Sequence, residues 1–339
     1  MNKTGPTFSF SIRSVYDDCK LQCRLYLPGW VRNIESAPAW SIRGAILAHP
    51  YTALGGTYDD EVISLLGGEL LQEGYIVGTF NFRGAAPSEG RSSWTGRPEL
   101  GDYAAFYGFM LLYLHRVKDG LHGLLSGQGR QDHTLSPTAS ADRNVHLILG
   151  GYSFGSLIAS HAPTLDVMID LCRTGTGIPG TPFYEIGRKA RKIAATTIRD
   201  LAPANPELQS HPEHPDQIEL SVETCISYLL VSPLRPPVSS LLTGFRGLSL
   251  NVGGTSAPQA RPAGRPADQL CAHRTLALYG DRDEFTSVRK LRSWSAELGR
   301  MPQSRFQSGE IQGAGHFWRE QGVESEARRV LREWLRPDL

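Results

Sequence analysis

Gly151-Tyr152-Ser153-Phe154-Gly155 sets a serine between two glycines, just where the apolar run Val145 to Leu149 gives way to a helix-like segment. Such a serine is either a nucleophile held on a sharp turn or a small residue in a glycine-rich loop. A buried strand leading in and a helix leading out are the context that G-x-S-x-G chemistry requires. The turn there is tight enough to strain the serine backbone, and side chains larger than glycine beside it would clash. A helix that starts at the site also favours negative charge developing there. A serine hydroxyl is a weak nucleophile without a base, and the base needs an acid to orient it. On a strand–turn–helix elbow the chain order is Ser, acid, His.

Both partners occur downstream in that order. "LALYGDRDEFTS" places Asp281 and Asp283 just past an apolar run, and "IQGAGHFWRE" places His316 in a loop of small residues. Taken alone, an Asp in a turn caps backbone N–H groups and a loop His is solvated. Taken together, at the carboxyl ends of successive strands where open α/β sheets put their functional loops, they compose a Ser153–Asp283–His316 triad. Asp283 is preferred as the acid because it has room to turn back towards the histidine loop, and Asp281 is expected to brace that turn.

Acyl transfer further needs donors for the oxyanion of a tetrahedral intermediate. One is the backbone N–H of Phe154, the residue after the nucleophile. The second is expected from "AHPYTALGG", where Pro50 has no N–H and Tyr51 is therefore the donor. His49, at a strand end, reads as a brace for that loop rather than a second base. The five cysteines (Cys19, Cys23, Cys172, Cys225 and Cys271) show no metal-ligand spacing and read as reduced thiols. His211 and His214, in "HPEHPD", read as exposed loop residues. No metal and no organic cofactor are expected.

These stations need strands and helices to hold them. "TFSFSIRSV" and "KLQCRLYLP" read as an antiparallel pair of N-terminal strands. "GAILAHP", "YIVGTFNFRG", residues 145 to 151, "SYLLVSPL" and "RTLALYG" read as further strands, with a last one in "SRFQSGEIQGAGH". Helical spacing falls between them in "DDEVISLLGGELLQEG", in "GDYAAFYGFMLLYLHRV" and finally in "VESEARRVLREWL". Alternating strands and helices imply βαβ units, so the predicted fold is α/β: one domain over 1–339, with a mostly parallel central sheet and helices on both faces. Three segments exceed that pattern. Residues 119 to 143 read as a polar connection, and 244 to 269 as a mobile loop. Residues 164 to 222 are an insertion around "YEIGRKARKIAATTIRDL", whose apolar stripe runs Ile186, Ala190, Ile193, Ala194, Thr197, Ile198 and Leu201. Arg188, Lys189, Arg191, Lys192 and Arg199 make the rest of that helix basic.

The 339 residues are 40% apolar and 20% charged, an ordinary globular composition. A formal charge of +1, from 35 basic and 34 acidic residues, lacks the basic footprint of a nucleic-acid binder. "MNKTGPTFSFSIRSVYDD" has no apolar run of signal-peptide length, and no window approaches a membrane span, so a cytoplasmic location without membrane contact is expected.

The ordered set "HPYTALGGTYDDEV", "GYIVGTFNFRGAAPSEG", "GGYSFGS", "LLVSPLRPPVSSLL", "LYGDRDEFTSV" and "GAGHFW" resembles the α/β-hydrolase superfamily, specifically serine hydrolases related to dienelactone hydrolases and small serine esterases. The resemblance covers roughly 43 to 163 and 224 to 337. It implies an α/β-hydrolase fold, a triad of Ser153, Asp283 and His316, and a structural Arg83 at a strand end. The substrate class it implies is a small-molecule ester or other acyl compound. The same machinery also serves thioester cleavage, acyl release, ring closure or carbon–carbon cleavage in specialised metabolism, and some relatives of such enzymes only bind. Compact relatives lack the 164–222 insertion. It reads as a helical cap or lid, as a basic surface for a membrane or acidic partner, or as a helix packed on the body.

Overall fold

The computed structural model describes residues 5–32, 42–127, 144–201, 220, 224–242 and 265–336. Within them one sheet runs through β1 (Phe8–Arg13), β2 (Lys20–Tyr26), β3 (Ile42–Ala48), β4 (Ile76–Phe80), β5 (Val145–Tyr152), β6 (Thr224–Val231), β7 (Arg274–Gly280) and β8 (Phe306–Ile311). The strand order is β1-β2-β4-β3-β5-β6-β7-β8. β1–β2 and β2–β4 are antiparallel; β3, β4, β5, β6, β7 and β8 pair in parallel. The parallel part is apolar on both faces because helices cover both. Along β5 the side chains alternate: Leu147 and Leu149 join the core on one face, and Ile148 joins the core on the other.

The Ile148 face is covered by α1 (Glu61–Gln72) and α9 (Val323–Leu335). Asp60 starts α1 by accepting from the N–H groups of Val62 and Ile63, as an N-cap should. The two helices are tied by Arg328, whose guanidinium pairs with buried Glu69 and with Glu324.

The opposite face carries α2 (Arg97–Gly127), then α3 (Phe154–Ser160), α4 (Leu165–Thr176), α5 (Pro182–Leu201), α6 (Val238–Leu242), α7 (Pro266–Ala272) and α8 (Val288–Gly299) follow along the chain. Tyr103, Phe106, Tyr107, Phe109, Met110, Tyr113 and Leu114 of α2 are all buried, on every side of the helix. A helix apolar all round must be covered all round. The sheet takes one side of α2, and α4 and α5 take the other. The Phe183, Ile186, Ala190, Ile193, Ala194, Thr197 and Leu201 stripe of α5 is buried there, with Thr197 Oγ1 3.0 Å from the hydroxyl of Tyr113. The described part of the 164–222 insertion is thus a third layer stacked on α2; residues 202–219 and 221–223, His211 and His214 among them, lie outside the described residues.

Two sequence boundaries move. The connection expected from residue 119 starts later, because α2 continues to Gly127 and Gly120 meets Ile198 of α5. The loop expected over 244–269 lies mostly outside the described residues, but its last residues are helical. Pro266 opens α7 at N1, where its missing N–H costs nothing.

Candidate active site

Ser153 stands between the end of β5 and the start of α3 with φ 55° and ψ −114°, a conformation that L-residues avoid. Its N–H donates to the carbonyl of Val231 at the end of β6 (2.8 Å), which pins the turn to the sheet. The flanking glycines are steric requirements. A Cβ on Gly151 would lie 2.3 Å from the carbonyl carbon of Gly155, and one on Gly155 would lie 2.1 Å from the carbonyl oxygen of Ala48. The start of α3 therefore abuts the end of β3, where the expected oxyanion loop begins.

The serine hydroxyl lies 2.8 Å from Nε2 of His316, and Nδ1 of the same ring lies 2.7 Å from Oδ2 of Asp283. With a carboxylate oxygen on Nδ1, that nitrogen donates, and Nε2 presents its lone pair to the hydroxyl. Oδ1 of Asp283 accepts the N–H groups of Phe285 (2.9 Å) and Thr286 (2.8 Å), which fixes the carboxylate with its other oxygen towards the ring. All three residues are buried, Ser153 at 7%, Asp283 at 7% and His316 at 3% exposure, so little water competes for these bonds. Asp281 instead braces the histidine loop, its Oδ1 accepting the N–H of Gly313 at 2.6 Å.

Tyr51 and Phe154 meet in space, with ring centroids 4.9 Å apart. Phe154 is the first residue of α3, so its N–H has no partner within the helix. Tyr51 precedes the short turn Thr52–Leu54. His49 is buried beneath them; its Nε2 accepts the N–H of Phe82 (2.9 Å), and its Nδ1 donates to the carbonyl of Pro50 (2.6 Å). Burial pushes this imidazole down to about 4, partly offset by the bond to Pro50, so the neutral ring acts as a fixed brace between the loop and the chain just after β4. Arg83 is also a brace. Its guanidinium reaches Oδ1 of Asp102 (2.6 Å), Oδ2 of Asp17 (2.8 Å) and Ser14 (3.2 Å).

Other residues hold His316 that sequence reasoning did not single out. Glu284 Oε2 accepts the backbone N–H of His316 at 2.7 Å, and the hydroxyl of Tyr152 donates to its carbonyl at 2.8 Å. Trp318 Nε1 donates to Ser232 Oγ (2.8 Å), beside the same carbonyl. Glu284 directly follows the acid in "GDRDEF", but nothing in the spacing shows that its carboxylate folds back onto the histidine backbone. Among the described residues no group of three or more His, Cys, Asp or Glu side chains could hold a metal, and no helix is long and apolar enough to cross a membrane.

The strand order, the antiparallel β1–β2 edge and the strained elbow after β5 define an α/β-hydrolase fold. No family model matches the chain, and no curated protein is similar to it in sequence. Among solved structures, an α/β serine hydrolase homologue from Coxiella burnetii is 17% identical, with 97% of this chain and 98% of that one covered and a TM-score of 0.46. A serine hydrolase without a lid from Xanthomonas campestris is 16% identical over 100% of both chains, at 0.44. A propionate-bound esterase from Thermogutta terrifontis is 13% identical, covering 98% and 93%, at 0.46. The fold class stands on the strand order and the elbow rather than on these likenesses.

Proposed function

We propose that the protein is a serine hydrolase that cleaves carboxylic esters through an acyl-enzyme. The observation that carries this reading is the unbroken hydrogen-bonded line from Ser153 Oγ through both nitrogens of His316 to Asp283. His316 Nε2 takes the hydroxyl proton as Oγ attacks the ester carbonyl carbon. The carbonyl oxygen becomes an oxyanion, which the N–H groups of Tyr51 and Phe154 hold. Asp283 stabilises the imidazolium and keeps the ring in the productive tautomer. The imidazolium then protonates the departing alkoxide, leaving the acyl group on Ser153. Water, deprotonated by the same nitrogen, attacks the acyl carbon; the acid departs and the serine proton returns.

Thioesters react by the same steps with a thiolate leaving group. A fluorophosphonate probe tests the reading, since it labels only an activated serine. Labelling at Ser153 that Ser153→Ala abolishes, together with a loss of ester turnover on the order of 10⁵-fold, is expected. A folded wild-type protein that neither labels nor turns over p-nitrophenyl acetate would be a binding protein on this fold.

A further inference from the structure

Four large apolar side chains stand exposed among the described residues: Leu54 (73%), Trp94 (65%), Ile178 (49%) and Phe317 (48%). Three of them surround the candidate site: Phe317 follows His316, Leu54 lies in the turn after Tyr51, and Trp94 lies on the segment between β4 and α2 that packs on Tyr51. Leu54 ends the turn that follows Tyr51 and donates its N–H to the Tyr51 carbonyl (3.0 Å). Trp94 lies 6.1 Å from the Tyr51 ring, centroid to centroid. Its loop is held from both sides: the Tyr51 hydroxyl donates to the Ser93 carbonyl (2.9 Å), and Glu99 accepts from the N–H (2.6 Å) and hydroxyl (2.5 Å) of Ser93. Phe317 stands edge-on to the His316 ring at 5.5 Å and to Phe285 at 5.9 Å. The anchored backbone holds these side chains out in water beside Tyr51 and His316. The apolar stripe of α5, which the sequence offered as a lid, is buried against α2.

Resting on the serine-hydrolase reading, we propose that Leu54 and Trp94 bind the acyl arm of an ester and Phe317 binds its alcohol arm, which makes the substrate an ester apolar on both sides of the scissile bond. The assignment of arms follows from the chemistry. During attack the carbonyl oxygen points at the N–H groups of Tyr51 and Phe154, and the leaving oxygen must be within reach of His316 Nε2, which protonates it. The alcohol arm therefore departs on the side of His316, where Phe317 stands. The acyl arm, bonded to the same carbon, runs to the other side of β5, towards β3 and β4, after which the turn of Leu54 and the ring of Trp94 lie, whereas His316 follows β8.

Each arm has its own measurement. The acyl arm is read from the kcat/KM ratio of p-nitrophenyl octanoate to p-nitrophenyl acetate, and the alcohol arm from the ratio of phenyl acetate to ethyl acetate, with each variant's alcohol ratio normalised to wild type. Trp94→Ala is expected to lower the octanoate-to-acetate ratio about tenfold, since a buried aromatic contact is worth roughly that much. Leu54→Ala is expected to lower it by about threefold. Phe317→Ala is expected to lower the phenyl-to-ethyl ratio while moving the octanoate-to-acetate ratio by less than about twofold. Ile178→Ala, on the turn between α4 and α5, controls for a general loss of exposed apolar surface and is expected to move neither ratio. An octanoate-to-acetate ratio unchanged in Trp94→Ala, or the two effects exchanged between Trp94 and Phe317, would overturn the assignment while fluorophosphonate labelling of Ser153 still upheld the hydrolase reading. Absence of both labelling and turnover in the wild type would sink the two together.

Discussion

His316 is held at three points, and each has a different chemical consequence. Asp283 fixes the ring, while Glu284 and Tyr152 fix the backbone N–H and carbonyl of the same residue. Loss of the Glu284 contact leaves the ring chemistry intact but frees the loop, so it should act on kcat through geometry. Glu284→Ala is expected to lower kcat about tenfold with little change in KM, while Glu284→Gln, which keeps an acceptor oxygen, stays within about threefold of wild type. Equal losses in the two variants would show that the negative charge, not the hydrogen bond, matters. The sequence reading preferred Asp283 to Asp281 because the second aspartate has room to turn back, and it is Asp283 whose Oδ2 lies 2.7 Å from His316 Nδ1. Glu284 was not legible, because a carboxylate that meets a backbone N–H across 32 residues leaves no local signal.

At the scale of elements, the elbow works because three of them converge within van der Waals contact. The end of β3, the turn after β5 and the start of α3 approach so closely that Gly155 admits no side chain. Gly155→Ala is expected to separate the proposed donors Tyr51 and Phe154 and to abolish ester turnover in soluble protein. The α5 layer is more remote from the chemistry. The ring of Phe183 lies between Gly108 of α2 and Gly175 of α4 and is 3% exposed. Phe183→Ala should lower the unfolding free energy by about 3 kcal/mol or more, because neither glycine can fill the void. Urea unfolding measures that loss, and the folded fraction should still label with fluorophosphonate. Loss of labelling in fully folded Phe183→Ala would mean that α5 also shapes the site. The sequence marked the stripe of α5 but not its partner, since helical spacing says which face is apolar and not what covers it.

The whole molecule carries a pH signature. His49 is buried and His146 half-buried, and loss of hydration pushes each imidazole down from 6.5 to about 4, with Arg43 and Arg274 adding to the effect at His146. In the unfolded chain each binds a proton near 6.5; in the folded protein neither does until about 4. Between those values the unfolded state holds more protons, so stability falls as the pH falls through that window and is constant above it. Each ring contributes at most about 3 kcal/mol to that loss. In His49→Asn the amide nitrogen can still donate to Pro50, but the Phe82 N–H loses its acceptor. The variant should be less stable than wild type at pH 7.5 by about 1–3 kcal/mol. It should also lose less on going to pH 4.5, as followed by urea unfolding. An equal acid loss in both proteins would remove His49 from this account.

The sequence by itself determined the fold class and the order of the candidate site residues along it. Apolar runs of strand length, each followed by helical spacing, require a parallel sheet covered on both faces, and a G-x-S-x-G at a strand exit admits few backbone paths. Ser153, Asp283, His316, Tyr51 and Phe154 were expected from that order, His49 as a brace from its place at a strand end, and a structural Arg83 from the family resemblance. Only the tertiary structure decided what surrounds them. It buried the stripe of α5 against α2, extended α2 to Gly127, folded Glu284 onto the histidine backbone and left Leu54, Trp94 and Phe317 in water near Tyr51 and His316. The reason is physical. Periodicity and turn chemistry are local and can be read along a chain, whereas the partner that covers an apolar face or answers a backbone N–H is fixed only when distant segments pack.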